Sequence, residues 1–208
     1  MARESEGLVS ILSGTAITQY IMNNDITITP LSLDNINPAS IDLRLGNQVA
    51  VYTDWVTDVS LTAVCGEGLI PKARELGDAF DIKKPPDVRT FDITDEGWVL
   101  NPGVLYLMHT EERVRTNKFV PVLDGKSSIG RLGITVHITA GFGDPGYDGQ
   151  YTLEVMAVHP IRVYAGMRFC QMRFHRFEGE LTNYQKVGSY RGKYAMGPVP
   201  SQAYKQFK

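Results

Sequence analysis

Cysteine is scarce in this chain. Cys65 and Cys170 are the only two in 208 residues, and they lie far apart. That spacing gives neither a paired zinc motif nor a disulfide framework, and it reads as reduced thiols in a cytoplasmic protein. Long apolar runs are missing too. No stretch approaches the length of a membrane span, and the opening MARESEGLVS has no apolar core fit for a signal peptide. Charge of one sign is also lacking: 21 Lys+Arg stand against 23 Asp+Glu, a net −2. Without an overall basic field, a nucleic-acid-binding module is disfavoured. The P-loop pattern GxxxxGK[ST] does not occur, and no solenoid repeat is visible.

What is present is 43% hydrophobic residues, enough for the core of one domain spanning 1–208. Residues 1–8 are polar and read as a flexible N-terminus. Ser13 or Thr15 can cap a helix whose apolar face is Ile17, Tyr20 and Ile21, ended by Asn23-Asn24-Asp25. Ile26 to Thr29 alternates as a strand. Ala39 to Gly46 alternates as well, with Ile41, Leu43 and Leu45 on one face and Ser40, Asp42 and Arg44 on the other. This predicts a half-buried strand with a charged pair facing outward. Residues 54–95 are irregular, with short strands and a helical turn near Lys72 to Leu76. From Gly97 onward, strand signals recur between Gly and Pro turns: 98–100, 104–109, 118–122, 134–139, 152–158, 161–164 and 168–173. The class is all-β, a barrel or sandwich with one or two short helices. The segment 184–208, rich in Gly, Pro, Lys, Arg and Tyr, is too polar for core and reads as a tail closing over a site.

Three segments can carry chemistry. Gly125 to Arg131 places two hydroxyls, two cations and backbone amides in seven residues, which is either a phosphate grip or an ordinary polar turn. Gly141 to Tyr147 is a glycine-rich corner where Asp144 can accept from a sugar hydroxyl and Tyr147 can pack on a ring; alternatively Asp144 caps its own hairpin. In 150–155, alternation puts Gln150, Thr152 and Glu154 on one face. If this strand pairs with 134–139, Thr135, His137 and Thr139 join them in a solvated face or a pocket with one carboxylate. The histidines His109, His137, His159 and His175 lack zinc-ligand spacing and read as structural. His109-Thr110-Glu111 matches the HxE half of the zinc-deaminase signature, but the PCxxC half is absent, so the match is noise.

Together these segments resemble the dCTP deaminase family of the trimeric dUTPase superfamily. The resemblance rests on Asn37-Pro38-Ala39-Ser40-Ile41-Asp42-Leu43-Arg44-Leu45-Gly46 and on Asp124 to Gly133, where the family usually has Arg in place of Lys126. Thr139-Ala140-Gly141-Phe142, Asp144-Pro145-Gly146, Thr152-Leu153-Glu154, and Gly166-Met167 with Gln171 complete it. It implies a distorted jelly-roll barrel forming a homotrimer with sites between subunits. The family deaminates dCTP to dUTP and ammonia without zinc, and Mg2+ accompanies the triphosphate.

By resemblance, Glu154 is the base that takes a proton from water and delivers it to the pyrimidine. Ser127, Arg131 and the backbone of Ala140 surround that water. Lys126 and Ser128 fall on the phosphate side, and His137 and Thr139 on the nucleotide. Asp144 and Tyr147 match the sugar-side corner, and Gln171, Tyr184 and Lys193 line the nucleotide or its triphosphate. The Ala140-Gly141-Phe142 form, without the His-Arg of strictly deaminating members, resembles bifunctional members that also hydrolyse dUTP to dUMP and diphosphate through the aspartate at position 144. Gly143 replaces the usual Ile, which loosens the corner. After Lys193-Tyr194 the usual glutamine is missing, which weakens the γ-phosphate contact. The partners implied are dCTP and dUTP, with dTTP as a feedback ligand, and neither nucleic acid nor membrane. The alternatives are a dUTP diphosphatase without deaminase activity and a non-catalytic nucleotide-binding regulator.

Overall fold

Period-two alternation in the chain becomes three antiparallel sheets in the computed structural model, which describes residues 10–52, 81–181, 184 and 196–207. The expectations for residues 1–8, for a turn near Lys72 to Leu76 and for Lys193 lie outside the described residues.

Helix α1 (Gly14–Met22) starts where the sequence predicts. Ser13 caps it, its Oγ accepting the Ala16 N–H at 3.2 Å, and Ile17 is fully buried. Asn23 closes it, and Asn24 takes a left-handed φ of 59°, a conformation asparagine tolerates better than most residues. The largest sheet contains β1 (Ile26–Thr29), β3 (Gln48–Tyr52), β4 (Val88–Asp92), β6 (Tyr106–Thr116), β8 (Ile134–Thr135) and β9 (Asp148–Ala157). Its order is β4-β3-β6-β9-β8, with β1 also on β6. A second sheet is β2 (Ile41–Arg44), β11 (Arg168–His175) and β7 (Val120–Gly125), in the order β2-β11-β7. A small pair joins β5 (Trp98–Leu100) to β10 (Ile161–Val163). Leu43, Leu100, Met108, Leu153, Phe169 and Phe174 form the heart of a single apolar cluster.

Two expectations change. Asp42 and Arg44 do not form an outward charged pair. Asp42 is only 3% exposed and meets Lys126, while Arg44 meets the buried Glu112. Strand β2 is covered on both faces because β6 and the 125–131 turn pack over the side that alternation marks as outer. The segment 134–139 is a strand only at Ile134–Thr135. Beyond it the Val136 carbonyl still accepts the Glu154 N–H at 3.1 Å, and two residues on the Ile138 amide turns to the Glu154 side chain, which shapes the site.

Candidate active site

Strand β9 carries Glu154 on the face opposite the core. Leu153 and Val155 are buried, whereas Thr152, Glu154 and Met156 are half-buried. Because β8 stops at Thr135, the Ile138 amide is free of the ladder and donates to Glu154 Oε2 at 2.9 Å. One carboxylate oxygen is thus fixed by the backbone. The other makes no hydrogen bond among the described residues. In the β6–β9 register Leu107 lies opposite Glu154, so one carboxylate stands against an apolar wall.

That wall belongs to a cleft of about 530 Å³. Six of the expected residues line it: Thr139, Ala140, Asp144, Tyr147, Glu154 and Tyr184. Asp144 is exposed, and its carboxylate has no hydrogen bond or ion pair among the described residues. Its backbone carbonyl accepts the Tyr147 N–H at 3.1 Å, closing the turn. The Tyr147 ring meets Tyr151 edge-on at 5.0 Å and Tyr184 at 6.0 Å. Burial pushes the Tyr151 phenol well above the usual tyrosine range, with Tyr147, Tyr184 and Asp144 adding to it. Tyr151 therefore remains a neutral donor.

The Gly143 corner is pinned rather than loose. A Cβ there would lie 2.8 Å from Tyr151 Oη and 2.9 Å from the Pro121 carbonyl, so the space a side chain would need is already filled. The Gly143 N–H also donates to that carbonyl at 2.8 Å.

The remaining expected residues are elsewhere. Lys126, Ser127, Ser128 and Arg131 belong to α2 (Ser127–Gly130) and its flanks, and none lines the cleft. Ser127, Ser128 and Arg131 are exposed, while Lys126 is held by Asp42. Gln171 on β11 donates to the Gly125 carbonyl at 3.0 Å and accepts from Ser40 Oγ at 3.0 Å. His137 packs under Gly141, with Nε2 3.1 Å from where a Cβ would stand. Its buried Nδ1 has no hydrogen-bond partner among the described residues.

Other residues escape sequence reading. Tyr52, Leu105 and Leu107 supply the apolar wall from β3 and the β6 end of the sheet. They look like ordinary core alternation, and no local signal marks them. Val199 and Ser201 also line the cleft. They are held there by two side chains of β9: Gln150 Oε1 accepts the Gly197 N–H at 2.7 Å, and Thr152 Oγ1 accepts the Val199 N–H at 3.1 Å. With the Ile138 amide on Glu154, all three residues of the polar face foreseen on β9 therefore bind backbone.

Among the described residues, no group of three or more His, Cys, Asp or Glu side chains is placed to hold a metal ion. No helix among them is long and apolar enough to cross a membrane. His109 is structural: it is buried, with Nδ1 2.9 Å from the Thr110 carbonyl and Nε2 accepting the Gln48 N–H at 3.3 Å.

A family model described as dCTP deaminase-like matches residues 11–177, the span that holds both carboxylates and the serine turn. The chain belongs to this family. A dCTP deaminase, dUMP-forming, from Leptospira biflexa is 41% identical over 198 residues, covering 95% of this chain and 98% of that one. Its counterpart from Hathewaya histolytica is 40% identical, covering 95% and 99%. Among solved structures, the 2'-deoxycytidine 5'-triphosphate deaminase of Agrobacterium tumefaciens superposes with a TM-score of 0.57 at 23% identity. The match covers 86% of this chain and 52% of that one. At that identity the likeness speaks for the fold alone, and the fold is the β-rich one that family membership implies.

Proposed function

We propose that this protein deaminates dCTP to dUTP and ammonia and then hydrolyses dUTP to dUMP and diphosphate. One observation carries the reading: two carboxylates, Glu154 and Asp144, line a single cleft with an apolar wall beside the first and tyrosines beside the second. These are the two acid–base groups that two successive hydrolyses need.

In the first, Glu154 takes a proton from water as the oxygen adds to C4 of cytosine, and delivers it to N3. The C4–amine bond then breaks, and the amine leaves as ammonia with a proton from the new hydroxyl. The Ile138 amide keeps the carboxylate aimed, so little reorganisation is needed at the moment of transfer. Thr139 and Ala140 border the same water. In the second hydrolysis, Asp144 takes a proton from water attacking the α-phosphorus, and the bond to the bridging oxygen breaks to release diphosphate. Tyr147 packs on the sugar. Magnesium travels with the triphosphate as part of the substrate.

Ser127 and Arg131 are exposed and lie outside the cleft of their own chain. In our reading a second copy brings them to Glu154, as three sites in a homotrimer require. The 184–208 segment closes over the nucleotide, with Tyr184, Val199 and Ser201 already in the wall. dTTP, a methylated relative of the intermediate, takes the same cleft as a feedback ligand.

The test is incubation with dCTP and magnesium, resolving ammonia, dUTP and dUMP. Glu154→Gln keeps an acceptor for the Ile138 amide and is expected to lose ammonia release while retaining dCTP binding. Asp144→Ala is expected to stop at dUTP. Ammonia release at the wild-type rate from Glu154→Gln would falsify the deaminase assignment. A wild-type protein that cleaves dUTP but never yields ammonia would be a diphosphatase alone.

A further inference from the structure

The hydroxyl of Tyr151 takes no part in the chemistry above. Its backbone N–H donates to Thr110 Oγ1 at 3.0 Å, but the phenol makes no hydrogen bond among the described residues. Its neighbour Tyr147 differs, since that hydroxyl donates to the Gln150 carbonyl at 2.7 Å. Tyr151 is half-buried and lines the cleft. Polar groups withdrawn from water are nearly always paired, so an idle donor on a cleft wall asks for an acceptor that arrives with a ligand. Burial keeps the phenol protonated at any working pH, so the donor is permanent.

A missing side chain gives this hydroxyl its place. A Cβ on Gly143 would lie 2.8 Å from Tyr151 Oη, so any other residue there would push the phenol away. The Pro121 carbonyl beside it already accepts the Gly143 N–H at 2.8 Å. The edge-on contact with Tyr147, 5.0 Å between ring centroids, holds the ring in that direction. The hydroxyl therefore reaches the corner one residue before Asp144. The Asp144 carboxylate is exposed and makes no hydrogen bond or ion pair among the described residues. A neutral donor and a free acceptor thus meet at one corner of one cleft.

We propose that Tyr151 is a specificity-determining residue that reads the 3'-hydroxyl of the nucleotide. A 2'-deoxynucleoside triphosphate carries its base on C1' and its phosphates on C5', so the 3'-hydroxyl is the one free hydroxyl of its sugar. A hydroxyl both donates and accepts, whereas an ionised carboxylate only accepts. The 3'-hydroxyl donates to one carboxylate oxygen of Asp144 and accepts from Tyr151 Oη, which satisfies both idle groups at once. A site built this way rejects an analogue without the hydroxyl, because its polar groups are then left unpaired. The inference rests on the proposed function, since this corner meets a sugar only if the cleft is the dCTP site.

The experiment compares dCTP with 2',3'-dideoxy-CTP in the wild type and in Tyr151→Phe, as kcat/KM for ammonia release, with a thermal melt of each protein. Where the dideoxy compound turns over too slowly to read, its inhibition constant against dCTP carries the same prediction. Tyr151→Phe keeps the ring and its contact with Tyr147 and removes only the oxygen, so the midpoint should not fall. The wild type should prefer dCTP by about tenfold or more, for one neutral and one charge-assisted hydrogen bond. Tyr151→Phe should lower kcat/KM for dCTP about 3- to 10-fold, the range of one neutral hydrogen bond, and change the dideoxy value by no more than about twofold. The preference then shrinks by the same factor, the non-additivity expected of two groups in contact.

Equal losses with the two nucleotides overturn the proposal, because Tyr151 then serves Asp144 or the corner rather than the sugar. A wild type indifferent to the 3'-hydroxyl overturns it as well. So does a midpoint lowered by several degrees with the preference unchanged, which leaves the hydroxyl a packing group. A wild type that releases no ammonia from dCTP overturns the functional reading, and this inference with it, before any variant is compared.

Discussion

Replacing Gly143 by alanine tests whether the corner that bears Asp144 is set by packing. The added Cβ would stand 2.8 Å from Tyr151 Oη, 2.9 Å from the Pro121 carbonyl and 3.0 Å from Pro121 Cγ, where ordinary contacts begin near 3.4 Å. The carbonyl cannot recede freely, because it already accepts the Gly143 N–H at 2.8 Å. Nor can the Tyr151 ring swing without leaving its edge-on contact with Tyr147. The corner must therefore move outward by roughly half an ångström, an overpacking strain of about 1–3 kcal/mol. For a chain of this size that is a fall in Tm of roughly 3–10 °C. Asp144 is the next residue and moves with the corner, whereas Glu154 is fixed in β9. Diphosphate release from dUTP should therefore drop several-fold more than ammonia release from dCTP. The checks are a thermal melt and a product split on the same preparation. An unchanged Tm with both rates intact would mean the corner is loose after all, as the missing side chain at Gly143 suggests from sequence alone.

Three other buried contacts have measurable consequences. Burial lowers the His109 pKa, partly opposed by its hydrogen bonds to Thr110 and Gln150. The folded protein therefore binds fewer protons there than the unfolded chain, and stability falls as pH drops through the ordinary histidine range. His109→Gln should flatten that part of a Tm-against-pH curve, and an identical slope in the variant would refute the assignment. Arg44→Met should leave Glu112, 2% exposed on its side chain, without the guanidinium 2.9 Å away, a loss of about 3 kcal/mol at neutral pH. Burial already raises the Glu112 pKa, against the pull of Arg44, so the folded state holds its proton longer than the unfolded chain. The deficit of the variant should therefore shrink as pH is lowered towards the carboxylate range, and a deficit independent of pH in denaturant titrations would contradict this. Gln150→Leu removes the acceptor of the Gly197 amide. It should raise the hydrogen-exchange rate at residues 197–199 and raise KM for dCTP more than it lowers kcat. Unchanged exchange there would show that Thr152 suffices.

The amino-acid sequence by itself determined the local grammar. Ser13 before an apolar helical stripe places α1, and strand signals place β1, β5 and β11 at or close to their observed limits, while β9 begins four residues before its expected start. The ordered motifs around residues 37–46, 124–133 and 139–154 point to the family before any coordinate is known. Alternation also assigns Glu154 to the face away from the core, because a strand can put successive side chains only on opposite sides. What it cannot say is what stands opposite that face. Only the tertiary structure set Leu107 across from Glu154, aimed the Ile138 amide at the carboxylate and buried Asp42 against Lys126. The same holds for Gly143, an empty position in sequence that the packed fold fills with a tyrosine hydroxyl and a proline carbonyl. Each of these contacts joins residues distant in the chain, and strand register and loop exit are fixed by the packing of the whole core rather than by any window of residues.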